Sequence, residues 1–508
     1  MSAGGLKAER AGLALALLVL AVLAWPLRHY VTDDTYIHLQ YAHRLAHGDG
    51  LVFNAGERVY GTTSPLWVVA LADAMALGVD GLLASKLLGG AATLAALLLW
   101  WLLVRRTLGD PWLRACSTLA WAGHAWMLRW SLSGMETPLA TALVLGGCVA
   151  FTSSRPWGAR PAAASLLWAL AALARPECAL LLPLWGVLLV VDRGPRAGLA
   201  AAARGLWPGA LLLALWLGFA RAWFGHFWPN TLAAKTAGGE GMAYHLEQLA
   251  RHAGIVAATD AVSVAVLAVL LAMRLVRREP FTLRPVERLL PWVWAASVPL
   301  LYTLRGVPVI SRYLVPLLPL VAWLAWRLLD RALAGSRPAT VRVAGAVLMS
   351  LSLALNIVTL ERVVRPQVDS FTAGMRASLE PWGRWFAAHS APGAVVAAPD
   401  IGALGYYSQR RVVDLAGLVT PQMVPILERL TPEDAVARFS FATFSRPAYV
   451  VDRAATAWDL EQRSPYARAL TRLGHAALPN LGIARPAPAV YSFYRIDWAV
   501  YDSLSRGR

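Results

Sequence analysis

Charged residues are scarce in this sequence. Of its 508 residues, 15% are Asp, Glu, Lys or Arg and 57% are hydrophobic, whereas about 25% charged residues is usual for a soluble domain. These values exclude a disordered chain and an ordinary cytosolic enzyme. Cysteine is scarce too: Cys116, Cys148 and Cys178 all lie in apolar runs, so no disulfide framework is implied. We expect the three thiols to be buried packing residues.

Several familiar motifs are missing from the sequence. It contains no P-loop, Rossmann fingerprint, HExxH, CxxC or G-x-S-x-G pattern, so nucleotide-driven transport is unsupported. The formal charge is +17, but Lys and Arg are scattered between apolar runs rather than gathered in one basic block. The basic excess therefore indicates membrane topology and no nucleic-acid partner.

Long apolar runs fill the chain as far as residue 360, and a membrane-spanning helix needs about 20 mostly apolar residues. The sequence predicts a polytopic α-helical membrane domain over 1–360 with eleven spans. These lie near 11–30, 84–104, 112–130, 137–152, 162–174, 177–191, 205–222, 254–273, 288–304, 312–327 and 341–360. The first run is favoured as a retained helix over a signal peptide cleaved after Ala24.

The count of spans is tested by the basic loops. With eleven spans, every loop rich in Lys and Arg falls on one side of the membrane, which the positive-inside rule makes cytoplasmic. This requires that the apolar stretch 64–80 lies against the outer interface without crossing. The first outer loop is then 31–83, and the C-terminal part of the chain lies on the same outer side.

Residues 361–508 differ in composition, because the spans stop and acidic residues and prolines return. Short apolar runs alternate with stretches typical of helices, which predicts a small water-facing α/β domain. The expected strands are 394–398, 411–415, 448–452 and 490–496, and the expected helices are 421–430 and 432–438.

Two adjacent carboxylates, Asp33 and Asp34, lie where the chain leaves the membrane. Charge near hydrocarbon is costly, so such residues tend to face a cavity or a partner. Neighbouring residues of a helix point about 100° apart. One carboxylate can therefore accept a proton from a hydroxyl while the other holds a cation or orients the first. The alternative is that one of them only caps a helix over 36–45, and spacing alone favours neither role.

A third carboxylate, Glu136, begins the span after the loop 130–135, which is also outside. Three carboxylates can thus lie close together at the outer side of the membrane. A divalent metal ion between Asp33, Asp34 and Glu136 is allowed but not required. Taken alone, Glu136 is better explained as a residue that complements the dipole of its helix.

Five cations lie on the outer side against the topology rule. A phosphate ligand would explain them, and so would snorkelling of their long side chains to the interface. They are Arg129, Arg175, Lys235, Arg305 and Arg312. Carboxylates and cations at the outer mouth indicate a substrate that reaches the site from the membrane.

Together these features resemble the GT-C superfamily of polyprenyl-phosphate-dependent glycosyltransferases. More narrowly, DDTYIHLQYAHRLAHGDGLVFNAGERVYGTTSPLW at 33–67 is similar to the first-loop signature of the bacterial terminal β-arabinofuranosyltransferase-like group. The stretches SGMETPL, RPE, FWPNTLAAK, RYLVPLLPL and DIGALGYYSQRRVVDLAGLVTP look like later blocks of that group, in the same order. The resemblance spans most of the chain.

The resemblance implies a GT-C fold with Asp33 as the catalytic base, and with Asp34 and Glu136 as further catalytic carboxylates. It implies a polyprenyl-phosphate sugar as donor, with arabinofuranose the first candidate, and an envelope glycan, lipid or protein as acceptor. The active site and the C-terminal domain would face outward from a bacterial inner membrane. The residues expected to bind substrate are Tyr36, Arg175, Glu177, Asn230, Lys235, Arg305 and Arg312.

Three rival functions are a secondary transporter or flippase of lipid-linked or small polar substrates, a non-enzymatic envelope scaffold and a hydrolase of lipid-linked sugars. A transporter is expected to show inverted repeats and ionisable residues near the midplane of the membrane. The carboxylates here are predicted at the outer edge instead. The hydrolase is harder to separate, because water would replace the acceptor at the same site.

Overall fold

The computed structural model describes residues 3–152, 161–230, 241–278, 286–306, 311–483 and 487–506. The chain divides into two compact units, each made of three stretches. The first, called the helical unit, comprises Met1–Arg28, Lys86–Leu217 and Gly238–Arg365. The second, called the sheet unit, comprises His29–Ser85, Gly218–Ala237 and Pro366–Arg508. The first outer loop therefore belongs to the same unit as the C-terminal strands.

Helices form most of the chain before residue 390. In chain order they are α1 (Ala3–Ala24), α2 (Asp33–Ala46), α3 (Pro65–Ala76), α4 (Gly81–Thr107), α5 (Pro111–Ala122), α6 (Ala125–Ser131), α7 (Thr137–Thr152), α8 (Pro161–Ala174), α9 (Leu181–Arg193), α10 (Pro195–Phe224), α11 (Met242–Thr259), α12 (Ala261–Val276), α13 (Leu290–Leu304), α14 (Ser311–Leu314), α15 (Leu318–Ala332), α16 (Pro338–Thr359), α17 (Arg365–Ala377) and α18 (Leu379–His389). A 3-10 turn, Pro176–Leu180, precedes α9.

Within the described residues, five helical segments are long and apolar enough to cross a membrane. They are Lys7–Leu27, Gly81–Thr107, Pro195–Phe224, Ser311–Ala332 and Pro338–His389. The number rises to six if α11 and α12 form one broken span. Each of the eleven predicted spans lies mostly on helical residues, and the chain is a polytopic helical membrane protein. The count of eleven stays a prediction, because several of these helices are shorter than 18 residues.

Two of the predicted spans are interrupted. The span at 112–130 is two helices, because α5 ends before Gly123 and α6 starts afresh with His124 as its N-cap. The Ala125 N–H at this break donates to Asn356 Oδ1 at 2.8 Å, which satisfies an amide that has no partner inside the helix. The span at 254–273 includes the break at Asp260, where α11 and α12 bend by 104°.

The sheet unit contains a five-stranded sheet. Its strands are β1 (Val395–Ala398), β2 (Arg411–Asp414), β3 (Tyr449–Ala454), β4 (Leu470–Leu478) and β5 (Ala489–Ile496), in the order β2-β1-β3-β5-β4. Strand β1 runs parallel to β2 and β3, whereas β5 is antiparallel to β3 and β4. The remaining helices are α19 (Gly402–Ser408), α20 (Val424–Leu427), α21 (Pro432–Ala437), α22 (Asp459–Arg463) and α23 (Trp498–Arg506).

The four predicted strands are confirmed as β1, β2, β3 and β5, and a fifth was not predicted. Strand β4 lies at the edge of the sheet, and most of its side chains are exposed or only partly buried. Its sequence therefore lacks the apolar runs that marked the other four. The predicted helices at 421–430 and 432–438 are shorter than expected, since only α20 and α21 are α-helical there. All three cysteines are buried, as expected.

Asn54 of the first loop closes the outer edge of β2. The Val412 N–H donates to Asn54 Oδ1, and Asn54 Nδ2 donates to the Val412 carbonyl, both at 2.9 Å. The side-chain amide thus takes the place of a neighbouring strand at this position. Open hydrogen-bonding groups on an edge strand invite pairing with another chain, and here the first loop satisfies them.

Replacing Asn54 with Ala removes both bonds and leaves a buried amide and carbonyl of Val412 without partners. Because an unpaired buried polar group costs about 1–3 kcal/mol, we expect the free energy of unfolding to fall by about 2 kcal/mol. Thermal unfolding and hydrogen exchange at the Val412 amide measure the effect. Gln462→Ala, at an exposed amide on α22, is the matched control. Equal stability of the two variants would contradict this role of Asn54.

Candidate active site

Helix α2 begins with the two predicted catalytic carboxylates. Its N-cap is Thr32, whose hydroxyl oxygen accepts from the Thr35 N–H at 3.2 Å. Asp33 and Asp34 follow in the first turn, where the helix dipole favours negative charge. The alternative that one of these carboxylates caps the helix is wrong, because Thr32 occupies that position. Both side chains are left for other contacts.

The carboxylate of Asp33 is held by the backbone that follows β1. The Gly402 N–H donates to Asp33 Oδ2 at 2.8 Å, and the Ala403 N–H donates to Oδ1 at 2.9 Å. Both donors belong to the first turn of α19, where amides have no partner inside the helix. Glycine is required at 402, because a Cβ there would lie 1.9 Å from the Asp33 carbonyl oxygen. The two bonds fix the orientation of the carboxylate.

Asp400 places a further negative charge near Asp33. It accepts at Oδ2 from Arg453 Nη1 at 2.7 Å and from the Tyr491 hydroxyl at 2.8 Å. Desolvation of the Asp33 carboxyl, with the charges of Asp400 and Asp34, raises the pKa of Asp33 to about 7, although the two amide donors act in the opposite direction. A carboxyl that titrates near neutral pH is suited to accept a proton.

Tyr36, predicted to bind substrate, is buried one turn further along α2. It is 1% exposed, and its hydroxyl donates to Glu380 Oε1 at 2.8 Å. Burial, together with the neighbouring Tyr407 and Glu380, raises the pKa of Tyr36, so the phenol keeps its proton. The structure therefore gives Tyr36 a packing and hydrogen-bonding role inside the sheet unit, and its contact with substrate stays a prediction.

Three of the predicted residues meet inside the helical unit. Arg175 Nη1 donates to Glu136 Oε1 at 2.6 Å, and Arg175 Nε donates to Glu177 Oε1 at 2.5 Å. All three side chains are at most 5% exposed. The Arg175 guanidinium also lies 4.8 Å from the centre of the Tyr313 ring. We call this set of Glu136, Arg175 and Glu177 the buried ion triad.

The other predicted substrate-binding residues are more scattered. The Asn230 N–H donates to the Tyr60 carbonyl at 2.8 Å, which ties it to the first loop. Arg312 is 8% exposed and lies 5.4 Å from the Tyr313 ring centre, and Arg305 follows the last residue of α13. Lys235 lies outside the described residues.

The chain is similar to known proteins over part or most of its length. Residues 371–499 match a family described as Domain of unknown function (DUF8728). The chain is 32% identical over 252 residues to the terminal β-(1→2)-arabinofuranosyltransferase of Corynebacterium glutamicum, a match covering 41% of this chain and 34% of that protein. The protein of the same name from Mycobacterium tuberculosis is 31% identical over 261 residues, covering 46% and 39%. The matches thus span well under half of either relative.

Solved structures match over a much larger share of the chain. ArnT from Cupriavidus metallidurans bound to undecaprenyl phosphate aligns with a TM-score of 0.55 at 15% identity, covering 97% of this chain and 98% of that one. The archaeal oligosaccharyltransferase AglB from Archaeoglobus fulgidus, in complex with an inhibitory peptide and a dolichol-phosphate, aligns at 0.58 and 14% identity, covering 87% and 69%. This chain has the GT-C fold. The resemblance expected from the sequence is confirmed.

In this GT-C chain, a metal site gains no support from the parts that the structure describes. No group of three or more His, Cys, Asp or Glu side chains is placed there to hold an ion. Both oxygens of Asp33 accept from backbone amides, and Glu136 accepts from Arg175. The divalent ion that the sequence allowed at Asp33, Asp34 and Glu136 stays a prediction.

Sequence reasoning missed the residues that hold Asp33 in the GT-C chain. Gly402, Asp400, Arg453 and Tyr491 were assigned no role, although the first two lie in or next to the block DIGALGYYSQRR that resembles the arabinofuranosyltransferase-like group. That block was the only available signal, because 369 residues separate Gly402 from Asp33. It was also unexpected that Glu136 would pair with Arg175, since each was considered separately.

Three of the outer cations predicted from topology are buried rather than extended to the interface. Arg129, Arg175 and Arg312 are 5%, 4% and 8% exposed. The Arg129 guanidinium lies 5.0 Å from the Trp130 ring centre, much as Arg175 and Arg312 lie near Tyr313. Snorkelling toward water does not describe these three side chains.

The buried ion triad gives a prediction about stability. Arg175→Gln leaves two buried carboxylates without their cation, and breaking such a group costs about 3–5 kcal/mol. We therefore expect a large fall in the thermal unfolding midpoint, and a smaller fall for Arg175→Lys, which keeps the charge. Arg331→Gln, at an exposed arginine of α15, is the matched control. An Arg175→Gln protein as stable as this control would show that the triad does not hold the helices.

Proposed function

We propose that this chain is a membrane glycosyltransferase that moves a sugar, first of all arabinofuranose, from a polyprenyl-phosphate donor to a hydroxyl of a cell-envelope acceptor. The observation that carries the proposal is the Asp33 carboxylate, oriented by two amides and with a pKa of about 7. The names of the curated relatives support the sugar, and the undecaprenyl phosphate bound to ArnT supports the lipid donor.

In the proposed reaction, Asp33 accepts the proton of the acceptor hydroxyl while the hydroxyl oxygen attacks the anomeric carbon of the donor sugar. The bond from that carbon to the phosphate oxygen breaks, and the lipid phosphate leaves with the electron pair. Because Gly402 and Ala403 already fix the carboxylate, little reorganisation is needed at the moment of proton transfer. Asp34 and Glu136 are proposed as the further catalytic carboxylates.

Charge grows on the lipid phosphate as it leaves, so cations are needed beside it. We propose Arg305, Arg312 and Lys235 for this role, with Asn230 as a hydrogen-bonding residue. Arg175 is already neutralised by Glu136 and Glu177, so it reaches a phosphate only by exchanging one of them. We therefore propose that Arg175 and Glu177 act by holding Glu136 in place.

We also propose that the site faces outward from a bacterial inner membrane. The support is the distribution of basic loops, which places the first outer loop and the C-terminal residues on the side away from the cytoplasm. On that side the acceptor is an envelope molecule, and the C-terminal domain helps to hold it.

The direct test uses purified protein in lipid nanodiscs with radiolabelled polyprenyl-phosphate arabinose, other polyprenyl-phosphate sugars and mixed envelope acceptors. Since a general base contributes about 10²–10⁴-fold, we expect Asp33→Asn to lower the rate of transfer by that factor in a protein that still folds. Its thermal unfolding midpoint should fall, because the new side-chain amide accepts from only one of the Gly402 and Ala403 N–H groups. Asp369→Asn, a carboxylate at the His29 ion pair, is the control for loss of one charge.

Three outcomes contradict the proposal in different ways. Full activity of a folded Asp33→Asn protein would show that Asp33 is not the base. Release of free sugar with no acceptor product indicates a hydrolase. Failure of the folded wild type to consume any of the donors favours a transporter.

The pKa of Asp33 predicts how the rate depends on pH. Asp33 accepts a proton only when it is ionised, so the rate should rise with pH, reach half its maximum near pH 7 and level off above. Asp400→Asn removes one negative charge that raises this pKa, so the midpoint should move to lower pH. Asp369→Asn should leave the midpoint unchanged. A midpoint that does not move in Asp400→Asn would show that Asp400 does not influence the base.

A further inference from the structure

A cavity of about 200 Å³ lies in the sheet unit beside β2. This is several times the roughly 30 Å³ that one water molecule takes up in the liquid, so there is room for a small organic group. The residues lining it do not include Asp33 or any other predicted site residue. Its lining includes Glu57, Arg411, Val412, Gln422, Phe444 and Ser445.

The wall of this cavity is fixed by hydrogen bonds. On one side, Asn54 clamps the backbone of Val412, and its Nδ2 also donates to Glu57 Oε2 at 2.9 Å. On the other side, the loop after β2 is folded around the buried carboxylate of Asp414, which accepts from the Val419 N–H at 3.0 Å. Sites that are already shaped before binding lose less freedom when a ligand enters.

The charges at the cavity cancel. Glu57 and Arg411 are its charged lining residues, and Arg411 Nε donates to Glu57 Oε1 at 2.5 Å. A phosphate group would bring negative charge that no second cation of the lining offsets. The cavity therefore suits a neutral ligand, in contrast to the charged lipid donor.

The remaining groups suit a ligand rich in hydroxyls. The terminal nitrogens of Arg411, the amide of Gln422 and the hydroxyl of Ser445 make no hydrogen bond to any other described side chain or backbone group. The Arg411 guanidinium offers donors, whereas the Gln422 amide and the Ser445 hydroxyl offer both donors and acceptors. The Phe444 ring is half-buried: it packs against the apolar core of the sheet unit and also lines the cavity. The part of the ring that faces the cavity is available to the C–H face of a sugar ring.

We propose that this cavity is a subsite for a neutral sugar residue of the acceptor. The proposal rests on the proposed function and deepens it, because it makes the acceptor a glycan rather than a protein or a lipid. Since Asp33 does not line the cavity, the sugar held there is a residue of the glycan other than the one that reacts. The subsite would give preference to acceptors of several sugar units.

The test is calorimetric binding to the full chain in nanodiscs, with a neutral arabinofuranose hexasaccharide, a glucopyranose hexasaccharide and inorganic phosphate. We expect one of the neutral oligosaccharides to bind and phosphate not to compete. Phe444→Leu keeps apolar volume but removes the ring, and Arg411→Gln removes the open donors. Each should weaken binding about tenfold, equivalent to about 1.4 kcal/mol. Arg429→Gln, at an exposed arginine outside the cavity, should bind like wild type.

The outcomes separate this proposal from the proposed function. Asp33→Asn should lose transfer and keep oligosaccharide binding, which supports both. Transfer to a short acceptor with no binding of either hexasaccharide overturns the subsite and leaves the transferase intact. Binding that neither Phe444→Leu nor Arg411→Gln weakens also overturns the subsite. Oligosaccharide binding without consumption of any donor keeps the subsite as a binding site and removes the transferase.

Discussion

The hydrogen bonds from Gly402 and Ala403 to the Asp33 carboxylate join the start of the first outer loop to the C-terminal sheet. The close approach of the two backbones requires a residue without a Cβ at 402. It also brings Asp400, two residues earlier, near enough to raise the pKa of Asp33. The orientation and the proton affinity of the candidate base therefore depend on the same contact, and neither is a property of the first loop alone.

Glu136, Glu177 and Asp33 differ in how the protein compensates their charge. In the helical unit, Glu136 and Glu177 share the cation Arg175, so their charges are compensated within the protein. In the sheet unit, Asp33 forms no ion pair with any described residue, and its partners are neutral amides. At Asp33 the two amide donors lower the pKa less than burial and the charges of Asp400 and Asp34 raise it. This difference singles out Asp33, among these three carboxylates, as the group suited to receive a proton.

The sequence was most informative where the signal is local. Long apolar runs located the helices, short apolar runs located four strands, and the adjacent Asp33 and Asp34 marked the start of α2. Strand β4 was missed because an exposed edge strand has little apolar pattern. The partners of Asp33 were missed for a different reason: hydrogen bonds between residues 369 positions apart leave no trace in spacing. At the helix break after Gly123, the Ala125 N–H donates to the distant Asn356, a contact that sequence spacing does not predict either.

The composition of the sheet unit has a consequence for biosynthesis. Its first stretch, His29–Ser85, leaves the ribosome early, whereas Pro366–Arg508 is made after the helices that lie between them in the chain. Most of the membrane helices are therefore synthesised before Gly402 and Ala403, the partners of α2, exist. Contacts between such distant segments form slowly. A message truncated before codon 400 would yield a chain that contains nearly all of the membrane helices. Its first loop would lack the two amides that hold Asp33.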